Sequence, residues 1–177
     1  MGAGVGATIR TNKVESSIRT KGLENMKNAI IIYDSVYGNT ERVARALAQG
    51  LEKSGTVKAT LVRASEADVG RLSEYDIVLV GAPTQAWKAS GPIREFLGKI
   101  GESALKGKKA FAFDTKMKGR LAGSGASKDI EKSLSELGAD TVKERASAIV
   151  KGKEGPLEEG TESEFINIGL EIAKAVH

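Results

Sequence analysis

AIIIYDSVYGNTERVARALAQGL, residues 29–51, holds two periodicities back to back. Ala29 to Tyr33 is an unbroken apolar, β-branched run, which suits a strand covered on both faces. From Thr40 to Lys53 the apolar positions Val43, Leu47 and Leu51 recur every four residues, the stripe of an amphipathic helix. Between them a short polar turn, Ser35 to Thr40, delivers the chain from strand directly into helix.

The same unit recurs downstream. Val57 to Val62 predicts a second strand, followed by a short helix opened by Ser65 with Asp68 at capping-box spacing. Ile77 to Val80 is a third apolar run. A helix starting near Pro92 follows it and carries Ile93, Phe96, Leu97 and Ile100 on one face. Lys109 to Phe113 predicts a fourth strand, and Ile130, Leu134 and Leu137 a helix ending before Gly138. Ala146 to Val150 is the fifth strand. Thr161 and Glu164 form a second capping box, ahead of a helix burying Phe165, Ile168, Ile172 and Val176. Strands alternating with helices require crossover connections, hence a parallel sheet with helices on both sides, the doubly wound α/β sandwich of three layers.

Residues 1–25 are rich in Gly, Ser, Thr and Asn without apolar periodicity, and are expected to form a disordered extension to a domain spanning 26–177. Gly2, Gly4 and Gly6 have dinucleotide-loop spacing but no strand before them. The extension lacks the apolar core of a signal peptide, and a cytoplasmic location is the expectation.

Composition excludes several chemistries. The 177 residues include no cysteine, so thiolate nucleophiles, zinc knuckles and iron–sulfur clusters are ruled out. The single histidine is the last residue, His177, a poor place for a general base, and no metal site or catalytic residue is expected. A net charge of +4 gives no sign of a nucleic-acid partner, and no apolar run reaches the roughly 20 residues of a membrane helix.

In doubly wound sheets ligands gather outside the carboxyl ends of the strands, so the loops after strands one, three and four carry the interest. The first, Ser35 to Thr40, can aim hydroxyls and backbone N–H groups at an anion beside a helix N-terminus. It is no Walker loop, since no Gly-Lys-Ser/Thr follows. An ordinary turn capped by Asn39 or Thr40 is the alternative. The loop after strand three holds Pro83, Thr84, Gln85, Ala86 and the only tryptophan, Trp87, which either stacks on a flat ligand or covers the following helix. Gly81, ending that strand, excludes a phosphoacceptor aspartate there. The loop after strand four, from Asp114 through Gly125, is glycine-rich and basic, and reads as a ligand loop or as a solvated one.

Residues 29–51 together with GAPTQAW at 81–87 and FAFDT at 111–115 resemble the flavodoxin family over essentially 27–176. The resemblance implies a five-stranded sheet of order 2-1-3-4-5, in the short-chain form, binding FMN non-covalently. It implies that Ser35, Val36, Tyr37, Gly38, Asn39 and Thr40 hold the FMN phosphate. Pro83, Thr84, Gln85, Ala86 and Trp87 would flank one side of the isoalloxazine, and Asp114, Thr115, Lys116, Met117 and Gly119 the other. Tyr37 stands where members commonly place a hydroxyl residue, and the third loop lacks their aromatic. Typical members are acidic, whereas six basic residues lie between Lys106 and Arg120 here, with Asp114 alone opposing them. That excess is expected to favour the anionic reduced cofactor.

An FMN electron carrier working with redox partner proteins or a small-molecule acceptor is the leading functional expectation. The alternatives are an FMN-dependent reductase of quinones or similar acceptors, and a partner-binding module without flavin.

Overall fold

The computed structural model describes residues 26–119 and 125–177, so the expected extension at 1–25 lies outside the described residues. Strands β1 (Lys27–Tyr33), β2 (Val57–Arg63), β3 (Ile77–Gln85) and β5 (Lys109–Met117) run parallel in the order β2-β1-β3-β5. The next position is shared by two pieces, β6 (Asp140–Thr141) and β7 (Ala146–Val150), both parallel to β5. This is the anticipated 2-1-3-4-5 winding, with its fifth strand broken over residues 142–145. Helices α1 (Asn39–Lys53), α2 (Gly91–Lys99), α3 (Ala126–Glu136) and α4 (Thr161–Ala175) cover the sheet.

Two-residue alternation decides which face each side chain serves. Ala29, Ile31 and Tyr33 of β1, Ile77 and Leu79 of β3, and Phe111 and Phe113 of β5 pack with α1 and α4. Ile30 and Ile32, Val78 and Val80, and Ala110 and Ala112 face α2, α3 and the 3₁₀ turn Val69–Glu74. On β5 the bulk is divided unevenly, Phe to one side and Ala to the other. Phe113 also needs Gly81 opposite it, since a Cβ there would overlap its ring.

Strands β3 and β5 run five and four residues past the ends of their apolar runs, because extended pairing continues through Ala82–Asp114 and Pro83–Thr115. Beyond them the two-residue strand β4 (Lys88–Ala89) folds back antiparallel on β3, a hairpin no periodicity signals. Two helix starts differ from expectation, and the alternative of a capped turn before α1 does not hold. Asp68, and not Ser65, caps the 3₁₀ turn, accepting from Gly70 N–H at 2.9 Å. Gly160 in the left-handed region precedes α4, and the Thr161 hydroxyl turns back to donate to the Glu158 carbonyl. Gly38, φ 84°, precedes α1 and frees Asn39 and Thr40 from capping. Among the described residues no helix is long and apolar enough to cross a membrane.

Candidate functional site

At the carboxyl ends of β1, β3, β5 and β7 lies a cleft of about 590 Å³, within the range of small-molecule sites. Its first wall is the turn into α1, contributing Ser35, Val36, Tyr37, Asn39 and Thr40. Gly38 does not line it; its positive φ bends the chain there. The second wall is the β3–β4 hairpin, with Pro83, Thr84, Ala86 and Trp87. Gln85 pairs with Lys88 across that hairpin and is not in the lining. Ala86 and Trp87 both have positive φ, 46° and 70°, a conformation that costs a non-glycine residue about 1–2 kcal/mol and is commonest where a site is built. The third wall, from the end of β5, supplies Thr115, Lys116, Met117, Lys118 and Gly119.

Asp114 lies beneath the cleft instead of in it. It is fully buried, and its Oδ2 accepts from the Thr84 hydroxyl at 3.1 Å and from Ser127 N–H at 3.0 Å. Thr84 Oγ1 in turn accepts from Ala126 N–H, so one carboxylate fastens β3, β5 and the start of α3 together. Gly125 is required there, because a Cβ would run into Asp114 Oδ2. Asp114 Oδ1 is buried without a hydrogen-bond partner among the described residues. A second tie, Thr40 Oγ1 to Thr115 Oγ1 at 2.8 Å, joins the first wall to the third.

A fourth wall, Ile149, Val150 and Lys153, was not anticipated. The rule that ligands gather at the carboxyl ends of strands already pointed to it, since Lys153 follows the fifth strand. The basic segment needs correction in the opposite sense. Lys106, Lys108 and Lys109 stand at the amino end of β5, whose nine residues span roughly 25–30 Å, beyond any useful charge interaction with the cleft. Lys109 is instead paired with Asp140. Of the six, Lys116 and Lys118 reach the cleft, and Arg120 lies outside the described residues.

The first wall is braced from behind. Arg63 at the end of β2 donates to the Ser35 carbonyl and to Glu41 Oε2, and lies 5.4 Å from the centre of the Tyr33 ring. Arg45 holds the other oxygen of Glu41, and its hydrogen bond is the main reason the Glu41 carboxyl sits below its ordinary value of 4.5; the charges of Arg45 and Arg63 add to it. A depressed folded-state value stabilises the fold above the unfolded pKa and ceases to do so as pH falls through it. Glu41→Gln is therefore expected to lower the melting temperature near neutral pH, with the difference from the parent closing below about pH 4.5. A difference that persists unchanged into acid would refute this account.

Four large apolar side chains are exposed among the described residues, Val36, Tyr37, Trp87 and Met117, and all four line this cleft. Its polar groups are hydroxyls, the Asn39 amide and the start of α1, and among the described residues three lysines but no carboxylate line it. A flat aromatic ligand carrying an anionic group fits that combination.

The flavodoxin family model matches residues 31–167. A flavodoxin from Clostridium saccharobutylicum is 31% identical over 85 residues, covering 48% of this chain and 53% of that protein, so the match spans about half of the relative's length. Flavodoxin 2 from Bacillus cereus, in its oxidised crystal structure, superposes with a TM-score of 0.72 at 23% identity, covering 83% of this chain and 98% of that one. A flavodoxin from the domain Archaea gives 0.70 at 22%, covering 84% and 98%. With the matched segment running from β1 into α4 and the cleft built on the loops between, the chain belongs to the flavodoxin family, whose cofactor is FMN.

Proposed function

We propose that this chain is a cytoplasmic electron carrier that holds FMN in the cleft and exchanges electrons with redox partner proteins. The convergence of all four exposed large apolar side chains on one cleft at the start of α1 carries the reading. FMN supplies the redox-active ring when bound; the protein supplies binding, orientation and charge. Ser35 Oγ accepts from Glu41 N–H at 3.3 Å, which leaves its own proton to donate to a phosphate beside the first turn of α1. Trp87, Met117 and Pro83 offer the apolar contact that a ring needs, and Lys116 and Lys118 bias the site toward an added negative charge. With three lysines and no carboxylate lining it among the described residues, a partner with an acidic face suits this rim better than a basic one.

The test is the absorption spectrum of the purified protein before and after adding FMN, followed by redox titration. Uptake with a flavin spectrum and quenching of Trp87 is expected. Lys118→Glu, an exposed change, should lower the potential for adding the second electron by tens of millivolts, on the order of a two-charge change seen across a partly solvated gap. A protein that ignores FMN would overturn the proposal. Steady oxidation of NADPH by the loaded protein alone would replace the carrier with a reductase.

A further inference from the structure

The fourth wall is a built loop. After β7 the chain turns back on itself: Lys151 N–H donates to the Pro156 carbonyl at 2.9 Å, Gly155 N–H to the Gly152 carbonyl at 3.1 Å, and Val150 bridges Leu157 antiparallel. It is then fixed to the start of α1. Asn39 Nδ2 donates to the Glu154 carbonyl at 3.0 Å, and Gly155 lies so close that a Cβ there would be 2.7 Å from Asn39 Oδ1. Lys153 sits between these anchors and lines the cleft with Ser35 and Thr40, while its neighbour Glu154 lines an adjoining hollow with Arg42 and Arg45.

We propose that this loop is an anion-recognising wall of the flavin site, and that Lys153 supplies the counter-charge for the FMN phosphate and with it the preference for FMN over uncharged riboflavin. The proposal rests on the reading of the cleft as a flavin site. The first wall offers a dianion only neutral side-chain donors: the Ser35 and Thr40 hydroxyls, the Tyr37 phenol, and Asn39, one of whose two amide hydrogens is spent on the loop. The start of α1 adds only about half a positive charge to these neutral groups. Lys153 forms no ion pair among the described residues, so its charge is not already neutralised by a neighbouring carboxylate. Lys116 and Lys118 come from the β5 wall. The contact between Asn39 and the Glu154 carbonyl thus ties the loop that carries Lys153 to the first wall.

Dissociation constants for FMN and for riboflavin, measured by fluorescence quenching at low and high salt, test this. Lys153→Met is expected to weaken FMN roughly tenfold or more, the worth of one charged hydrogen bond, to leave riboflavin within about twofold, and to flatten the salt dependence of FMN binding. Lys153→Arg should retain the discrimination. Unchanged FMN affinity in Lys153→Met, or equal loss for both flavins, would overturn the role of Lys153 while leaving the flavin site in place. A parent protein that takes up neither flavin would remove both readings together.

Discussion

Trp87→Ala is expected to weaken FMN binding roughly fiftyfold with little change in thermal stability. The indole is 60% exposed and packs little of itself into either core cluster, so its removal leaves no cavity. Covering on the order of 100 Å² of that ring with a ligand is worth about 2.5 kcal/mol, which sets the size of the loss. The backbone gives a sharper control. Trp87 is held at φ 70°, where glycine is at ease and other residues are strained. Trp87→Gly should therefore melt no lower than Trp87→Ala while binding FMN equally poorly. If both variants unfold earlier than the parent, the ring is a structural cover; if either variant binds FMN like the parent, the ring does not meet the ligand.

Gly50→Ala should be the most destabilising single methyl in the molecule, about 3 kcal/mol, or roughly 6–12 °C in melting temperature. Helices α1 and α4 cross at Gly50 and Gly169. A Cβ on Gly50 would be driven into the Ile166 carbonyl oxygen, and one on Gly169 would lie 2.9 Å from Leu51 N and 3.0 Å from Gly50 Cα. These are backbone atoms, which cannot swing aside as a side chain can, so the helices must separate and the contacts of Leu47, Leu51 and Phe165 loosen with them. The better helix propensity of alanine recovers only about 1 kcal/mol. Gly98→Ala isolates that term, since Gly98 is exposed in α2 with nothing near its Cβ position, and there the same change should stabilise slightly. Equal effects at the two sites would show that the crossing is not as tight as described.

The layers were legible because burial on two faces writes a local signature. Alternate residues of AIIIY go to opposite cores, and Val43, Leu47 and Leu51 form one stripe. The ends of β3 and β5 were not, because Thr84 and Thr115 are polar residues in extended backbone at a cleft, where the apolar signal stops before the pairing does. The walls at 35–40, 83–87 and 115–119 followed from their places after parallel strands. The direction of charge did not: Lys106, Lys108 and Lys109 are close to Lys116 along the chain but separated from it by the length of a strand, whereas Lys153 is distant in sequence and shares its cleft. The Asn39 contact that seats that loop joins residues 115 positions apart, and no local pattern encodes it.

The two ties under the cleft, Thr40 to Thr115 and Thr84 through Asp114 to Ser127, are made entirely among protein groups. Three walls are thus held at their separation by bonds that ask nothing of a ligand. A ligand entering the cleft would meet walls already tied to one another, at little cost in ordering entropy. If the cleft holds FMN as proposed, its removal should leave the chain folded, and exchange for modified flavins would be a practical route to retuning the site.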